Sequence, residues 1–161
     1  MRILIHGINY RNWFSILCAL VTGSSFSHTS IIYQGTRYDT TFKRGYFDQA
    51  DSLLNQPNRD VTVIEINDID SLQLYAFINN HEQYRTRYDL KGLLLWPFKR
   101  HDPNKYYCFE ATLDAIKAAG IELDIKGMPS GGKIFTALLD KGYTATRTKH
   151  KYVKVVNNGD Q

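Results

Sequence analysis

Cys108 and His28 belong to types that do nucleophilic chemistry, and both sit where an element is expected to begin. Cys108 lies in NKYYCFEATLDAI (104–116), near the start of an expected amphipathic helix. A helix N-terminus carries partial positive charge and unpaired N–H groups, which stabilise a thiolate. His28 lies in SFSHTSIIYQG, at the start of an expected strand. A free thiol ionises near ~8.5, and a neighbouring imidazolium at a helix start can make the thiolate its main form. Such a pair attacks acyl carbonyls. Each residue alone has a plainer reading: a cysteine beside an apolar stripe is packing, and a histidine opening a strand is a surface residue.

A carboxylate joins them through strand geometry. HTSIIYQGTRYDTTF (28–42) alternates apolar and polar residues and is rich in β-branched types, which predicts a hairpin with Gly35-Thr36 at the turn. In that register Gln34 faces Arg37, Ile32 faces Asp39 and Ser30 faces Thr41. Alternate residues of a strand share a face, so His28 and Asp39 point to the same side. They are not directly opposed. Contact requires a bulge, strand twist or a different turn, because Thr41 or Lys43 lies nearer to His28 in the simple register.

The elements that must carry these residues can be read in order. RILIHG (2–7) is an expected strand, and residues 11–22 an expected helix ending near Gly23. Residues 45–59 read as a loop, with a helical turn around FDQADSLL. DVTVIEIN (60–67) is a strand, and 68–84 a helix capped by Asp68 or Asp70, with Leu72, Tyr75, Ala76 and Ile78 at helical spacing. YDLKGLLLWPF (88–98) is part helical and stopped by Pro97. From Asp102, Asp-Pro supplies a cap and a first-turn proline, Gly120 a stop, and Phe109, Thr112, Leu113 and Ile116 a buried stripe.

Composition limits the function classes. At 161 residues with 43% hydrophobic and 13% aromatic content, the chain is one ordinary globular domain. The single domain is expected over 1–145, with a basic, polar, partly disordered tail over 146–161. The net charge of +4 comes from scattered residues until RTKHKYVK (147–154), which reads as a solvated basic tail, so no nucleic-acid partner is expected. The tyrosines are spread along the chain, which does not suit a stacking surface for single strands.

The two cysteines, Cys18 and Cys108, show no Cys/His ligand spacing, and His6, His81, His101 and His150 read as structural or exposed. No metal or cofactor is therefore expected. SGGK (130–133) lacks the spacing of a phosphate loop and reads as a helix-capping turn. Trp13 and Trp96 read as core.

The N-terminal 27 residues have the basic start, short apolar run and small residues of a secretory signal. Against this, RILIHG alternates like a strand, and cleavage near residue 27 would remove elements that His28 needs. The apolar run over 13–21 is too short to span a bilayer. The expected location is the cytoplasm, or release without a signal peptide.

The order of these pieces resembles a family. Strand, apolar helix, SFSH before a hydrophobic strand, hairpin, VTVIEI, helix, RYDLKGLLL, YYCFEATLDAIKAAGIEL and GMPSGGKIFTALLDKG together look like the circularly permuted branch of the NlpC-type papain-like hydrolases. In this branch the histidine strand precedes the cysteine helix. The resemblance covers about residues 1 to 145. It implies an α+β, papain-like fold in which an antiparallel sheet or half-barrel packs against the cysteine helix. It also implies Cys108 as nucleophile, His28 as general base, Asp39 as orienting residue, and Tyr88 as a site-lining or oxyanion-binding residue. Where many members have Cys-Ser-Glu, this chain has Cys108-Phe109-Glu110. The implied activity is hydrolysis of an amide or peptide bond, or of an ester, through a thioester. The implied substrates are a peptide, a cell-wall crosslink or a lipid acyl group. The competing reading is an inactive papain-like module that binds a protein, lipid or nucleic acid.

Overall fold

A computed structural model describes residues 1–42, 45–50, 59–83, 86–95, 102 and 105–148. The elements in chain order are β1 (Arg2–Gly7), α1 (Trp13–Thr22), β2 (Phe26–Tyr33), β3 (Thr36–Thr41), β4 (Gly45–Ala50), β5 (Val61–Glu65), α2 (Ser71–Gln83), β6 (Arg87–Tyr88), α3 (Leu90–Leu94), β7 (Lys105–Tyr106), α4 (Cys108–Ala118), α5 (Gly131–Asp140) and β8 (Ala145–Thr148). The class is α+β. A six-stranded sheet runs β4-β3-β2-β1-β5-β8 with every neighbouring pair antiparallel. A separate parallel pair joins β6 to β7.

The sheet is centred on β1, because RILIHG can be buried on both faces. Ile3, Leu4 and Ile5 are all fully buried, each contributing roughly 1.5–3 kcal/mol. One face, carrying Ile3, Ile5, Ile31 and Ile64, shares the main core with Phe109, Leu113 and Ile116 of α4 and with Ile134 and Leu138 of α5. Leu4, Ile32 and Val61 form a smaller apolar group on the other side. The N-terminal segment that has the look of a secretory signal is thus the middle of the sheet and its first helix. No helix among the described residues is long and apolar enough to cross a membrane.

Several expectations change. The hairpin turn is Gln34-Gly35, with both residues in the left-handed region at φ 50° and 78°, so Ser30 pairs with Asp39 and Ile32 with Arg37. Residues 45–50 form strand β4 and not a loop, so the first half of the helical turn expected around FDQADSLL is strand; its second half, like Trp96, Pro97, His101 and His150, falls outside the described residues. Helix α2 buries Leu74, Ile78 and His81, while Leu72 and Tyr75 are exposed. Trp13 is also exposed, at 73%, and is not core. The segment from Ala145 pairs with β5, so the start of the expected tail belongs to the sheet edge. Asp70 does cap α2, accepting from the N–H groups of Leu72 and Gln73, and Ser130 caps α5, accepting from the Lys133 N–H.

Candidate active site

Helix α4 begins at Cys108 itself. Asp102 does not cap it: residues 105 and 106 first form β7, and Tyr107 is the N-cap residue. The Glu110 carboxylate accepts from the Tyr107 N–H at 3.3 Å, and the Tyr107 hydroxyl donates to the Pro129 carbonyl at 3.1 Å, which fixes the residue before the thiol. As the first helical residue, Cys108 has an N–H with no acceptor inside its own helix. The side chain is 2% exposed.

Strand β2 holds this helix start. The Thr29 hydroxyl donates to the Cys108 carbonyl at 3.1 Å, and the Thr112 hydroxyl donates to Thr29 at 2.9 Å. These bonds set Cys108 beside the residue preceding Thr29, which is His28. Cys108 lies near enough to His28 to help raise its pKa. The imidazole also meets the carboxylate anticipated from the strand pattern: His28 Nε2 lies 2.5 Å from Asp39 Oδ1. The contact is diagonal across the hairpin, with Asp39 opposite Ser30. A register irregularity between His6 and Gly7 distorts the neighbouring strand at this level.

Charge around the imidazole is strongly polarised. Burial opposes protonation of His28, but the charges of Asp39 and Cys108 and hydrogen bonds to both overcome it and raise the pKa to about 9. Burial likewise disfavours the Asp39 carboxylate, yet His28, Arg37 and Arg59 together bring its pKa below the ordinary value. Asp39 is only 3% exposed.

The second tyrosine-bearing segment is fastened by Asp89. This carboxylate, 1% exposed, caps α3 by accepting from the Gly92 N–H at 2.8 Å and accepts the Asp102 N–H at 2.9 Å. The Asp89 N–H donates to the Tyr106 carbonyl, and β6 pairs with β7 immediately before the cysteine helix. Tyr88 is thereby held near Cys108, close enough for the thiol to contribute to its raised pKa. Burial, and then the neighbouring thiols, push the Tyr88 hydroxyl well above its usual pKa, so it keeps its proton and can donate. Cys18 also contacts Tyr88, but burial raises its own pKa to about 11, which disqualifies it as the nucleophile. Both cysteines are free. The rings of Phe14 and Phe42 pack against Tyr88 at 6.1 and 6.2 Å, and exposed Trp13 stands edge-on to Phe14.

All four residues anticipated for the site, Cys108, His28, Asp39 and Tyr88, are thus brought together. Arg37, Ser30, His6 and Arg59 were missed. Arg37 is fully buried, with Nη2 2.8 Å from Asp39 Oδ2. Its signal was present, since it lies two residues before Asp39 on the same face of one strand. His6, read as structural or exposed, is fully buried, with its ring 5.3 Å from that of His28. The Phe109 ring is fully buried and lies against Gly131. No group of three or more metal-binding side chains occurs among the described residues.

No protein-family model matches the chain, and no curated protein matches it significantly.

Proposed function

We propose that this protein is a cysteine hydrolase of the amidase or peptidase type, with a permuted NlpC-type, papain-like fold. The observation that carries this reading is His28 paired with the buried Asp39 carboxylate and raised in pKa by that carboxylate and by the helix-start cysteine Cys108. Cys108 Sγ attacks the carbonyl carbon, and the oxyanion is met by the Cys108 N–H and the Tyr88 hydroxyl. His28, protonated at neutral pH, passes its Nδ1 proton to the leaving group as the tetrahedral intermediate collapses to a thioester. Water, deprotonated by the now neutral His28, then releases the acid. Asp39 keeps the imidazole oriented and favours its cationic form. A peptide or cell-wall amide is the substrate class proposed, with a lipid ester as the alternative leaving-group chemistry.

A binding module without catalysis is the second reading, and the burial of Cys108 is what favours it, since a nucleophile must be reached. Incubation with a panel of peptide amides and aryl esters, followed by mass spectrometry of the acid-quenched protein, separates the two. The hydrolase reading expects an acyl adduct on Cys108 that disappears in Cys108→Ala and is strongly reduced in His28→Ala. No adduct from any substrate class, in folded protein, supports the binding module.

A further inference from the structure

Behind the Cys108–His28–Asp39 arrangement lies a second layer of buried polar side chains whose bonds converge on Asp39. The carboxylate divides its two oxygens: Oδ1 faces His28 Nε2 at 2.5 Å, and Oδ2 faces Arg37 Nη2 at 2.8 Å. Arg37 is itself held at two more points. Its Nε donates to the Ser30 hydroxyl at 3.1 Å, and its Nη2 lies 3.3 Å from His6 Nε2. Ser30 Oγ is 3.0 Å from the same His6 nitrogen.

The proton positions follow from these contacts. A guanidinium only donates, so Ser30 Oγ accepts from Nε and turns its own hydrogen to His6 Nε2, which must be an acceptor. His6 is then neutral with its proton on Nδ1. Burial first, and then the surrounding cations Arg59, His28 and Arg37, also keep His6 neutral. Arg37, Ser30 and His6 are each 2% exposed or less. A guanidinium fork in a dry site with three fixed contacts has one orientation, and it leaves Asp39 one orientation in turn.

We propose that Arg37 is a positioning residue of the site: locked by Ser30 and neutral His6, it clamps Asp39 Oδ2 so that Oδ1 is aimed at His28 Nε2 and Nδ1 is aimed at Cys108. The proposal rests on the hydrolase reading for its purpose, but the contacts that anchor the clamp, Arg37 with Asp39, Ser30 and His6, involve none of the reacting atoms. The planar fork is the necessary feature. A lysine at the same position keeps the positive charge beside Asp39, Arg59, His6 and His28 but cannot hold Ser30 and Asp39 at once.

The test is an NMR pH titration of the His28 imidazole in wild type and Arg37→Lys, with folding checked by circular dichroism. Charge is conserved, so a buried cation acting only through its charge leaves the midpoint in place. Clamping predicts that the midpoint falls from about 9 by about one unit, a tenfold weaker hold on the proton, because Asp39 is free to turn away. An unchanged midpoint in folded Arg37→Lys overturns the proposal. If lysine at this buried position prevents folding, Ser30→Ala serves, since it removes the acceptor for Arg37 Nε while leaving every charge in place. A smaller fall in the same direction supports the clamp, and no change overturns it. Failure of the hydrolase reading is recognised separately: Cys108 then forms no acyl adduct in wild type, whatever the His28 titration does in these variants.

Discussion

Asp39→Asn should uncouple the stability of this protein from pH in one defined window. His28 is 14% exposed and its pKa is raised from the ordinary 6.5 to about 9. A shift of about 2.5 units corresponds to ~3 kcal/mol of preference for the imidazolium in the folded state. The sign follows from linkage: a folded-state pKa above the unfolded one stabilises fully below pH ~6.5, progressively less up to about 9, and not at all beyond. Asp39 is the principal source of the upward shift. With asparagine in its place, only Cys108 remains to oppose burial, and the imidazole holds its proton much less tightly. The variant should also lose ~3–5 kcal/mol at every pH, because the fully buried Arg37 loses its carboxylate. Urea unfolding of both proteins near pH 6 and near pH 9.5 separates the two effects. Wild type should lose more between these pH values than Asp39→Asn does, by up to ~3 kcal/mol, groups titrating elsewhere being common to both. Equal losses would refute the reasoning, since the His28–Asp39 pair would then carry no folded-state proton.

Tyr88→Phe should leave alkylation of Cys108 intact but slow acyl transfer by about 10²–10³-fold if the hydroxyl meets the oxyanion, a difference read by comparing alkylation with adduct formation. Glu110, whose pKa burial and the nearby Asp89 and Asp114 raise to about 8, destabilises the fold as pH rises from the ordinary carboxylate range through 8. Glu110→Gln, which retains an oxygen for the Tyr107 N–H, should therefore raise the melting temperature at pH 8.5 and not at pH 4. Gly45→Ala should be severely destabilising, because φ is +70° and the added carbon would sit 2.4 Å from the Thr86 carbonyl oxygen; a drop of more than ~2 kcal/mol in urea unfolding is expected. Arg147→Ala, which removes an exposed ion pair with Asp60, should change stability by less than ~1 kcal/mol in the same assay.

What could be read in advance followed the strength of local signals. The strand at 2–7, the strand at 61–65, the stripe on α4 and the Ser130 cap rest on short-range patterns, and the chain obeys them. The hairpin register failed by its turn. Gly35 was placed first in the two-residue loop, whereas it occupies the second position with Gln34 before it, the arrangement in which glycine suits a primed turn. This shift moves Asp39 opposite Ser30, and His28 still reaches it diagonally. On α2, Ile78 of the expected stripe is buried but Leu72 and Tyr75 are not, and Leu74 takes their place; packing against α4 chooses the face, and that is tertiary information. The site residues Cys108 and His28 lie 80 positions apart, so their meeting depends on Thr29 fastening the helix start, a contact that no local pattern announces. His6 is hidden for the same reason, since strand pairing brings it to Ser30, whereas Arg37 is legible from its place two residues before Asp39 on the same strand.

The most direct test of the account is the pH dependence of iodoacetamide alkylation at Cys108, measured in a Cys18→Ser background with and without His28→Ala. The account predicts rapid alkylation of Cys108 well below pH 8 that is lost when His28 is removed. Alkylation that follows an ordinary thiol in both proteins, or a thiol that does not react while the protein is folded, would contradict it and make Cys108 a packing residue of the core.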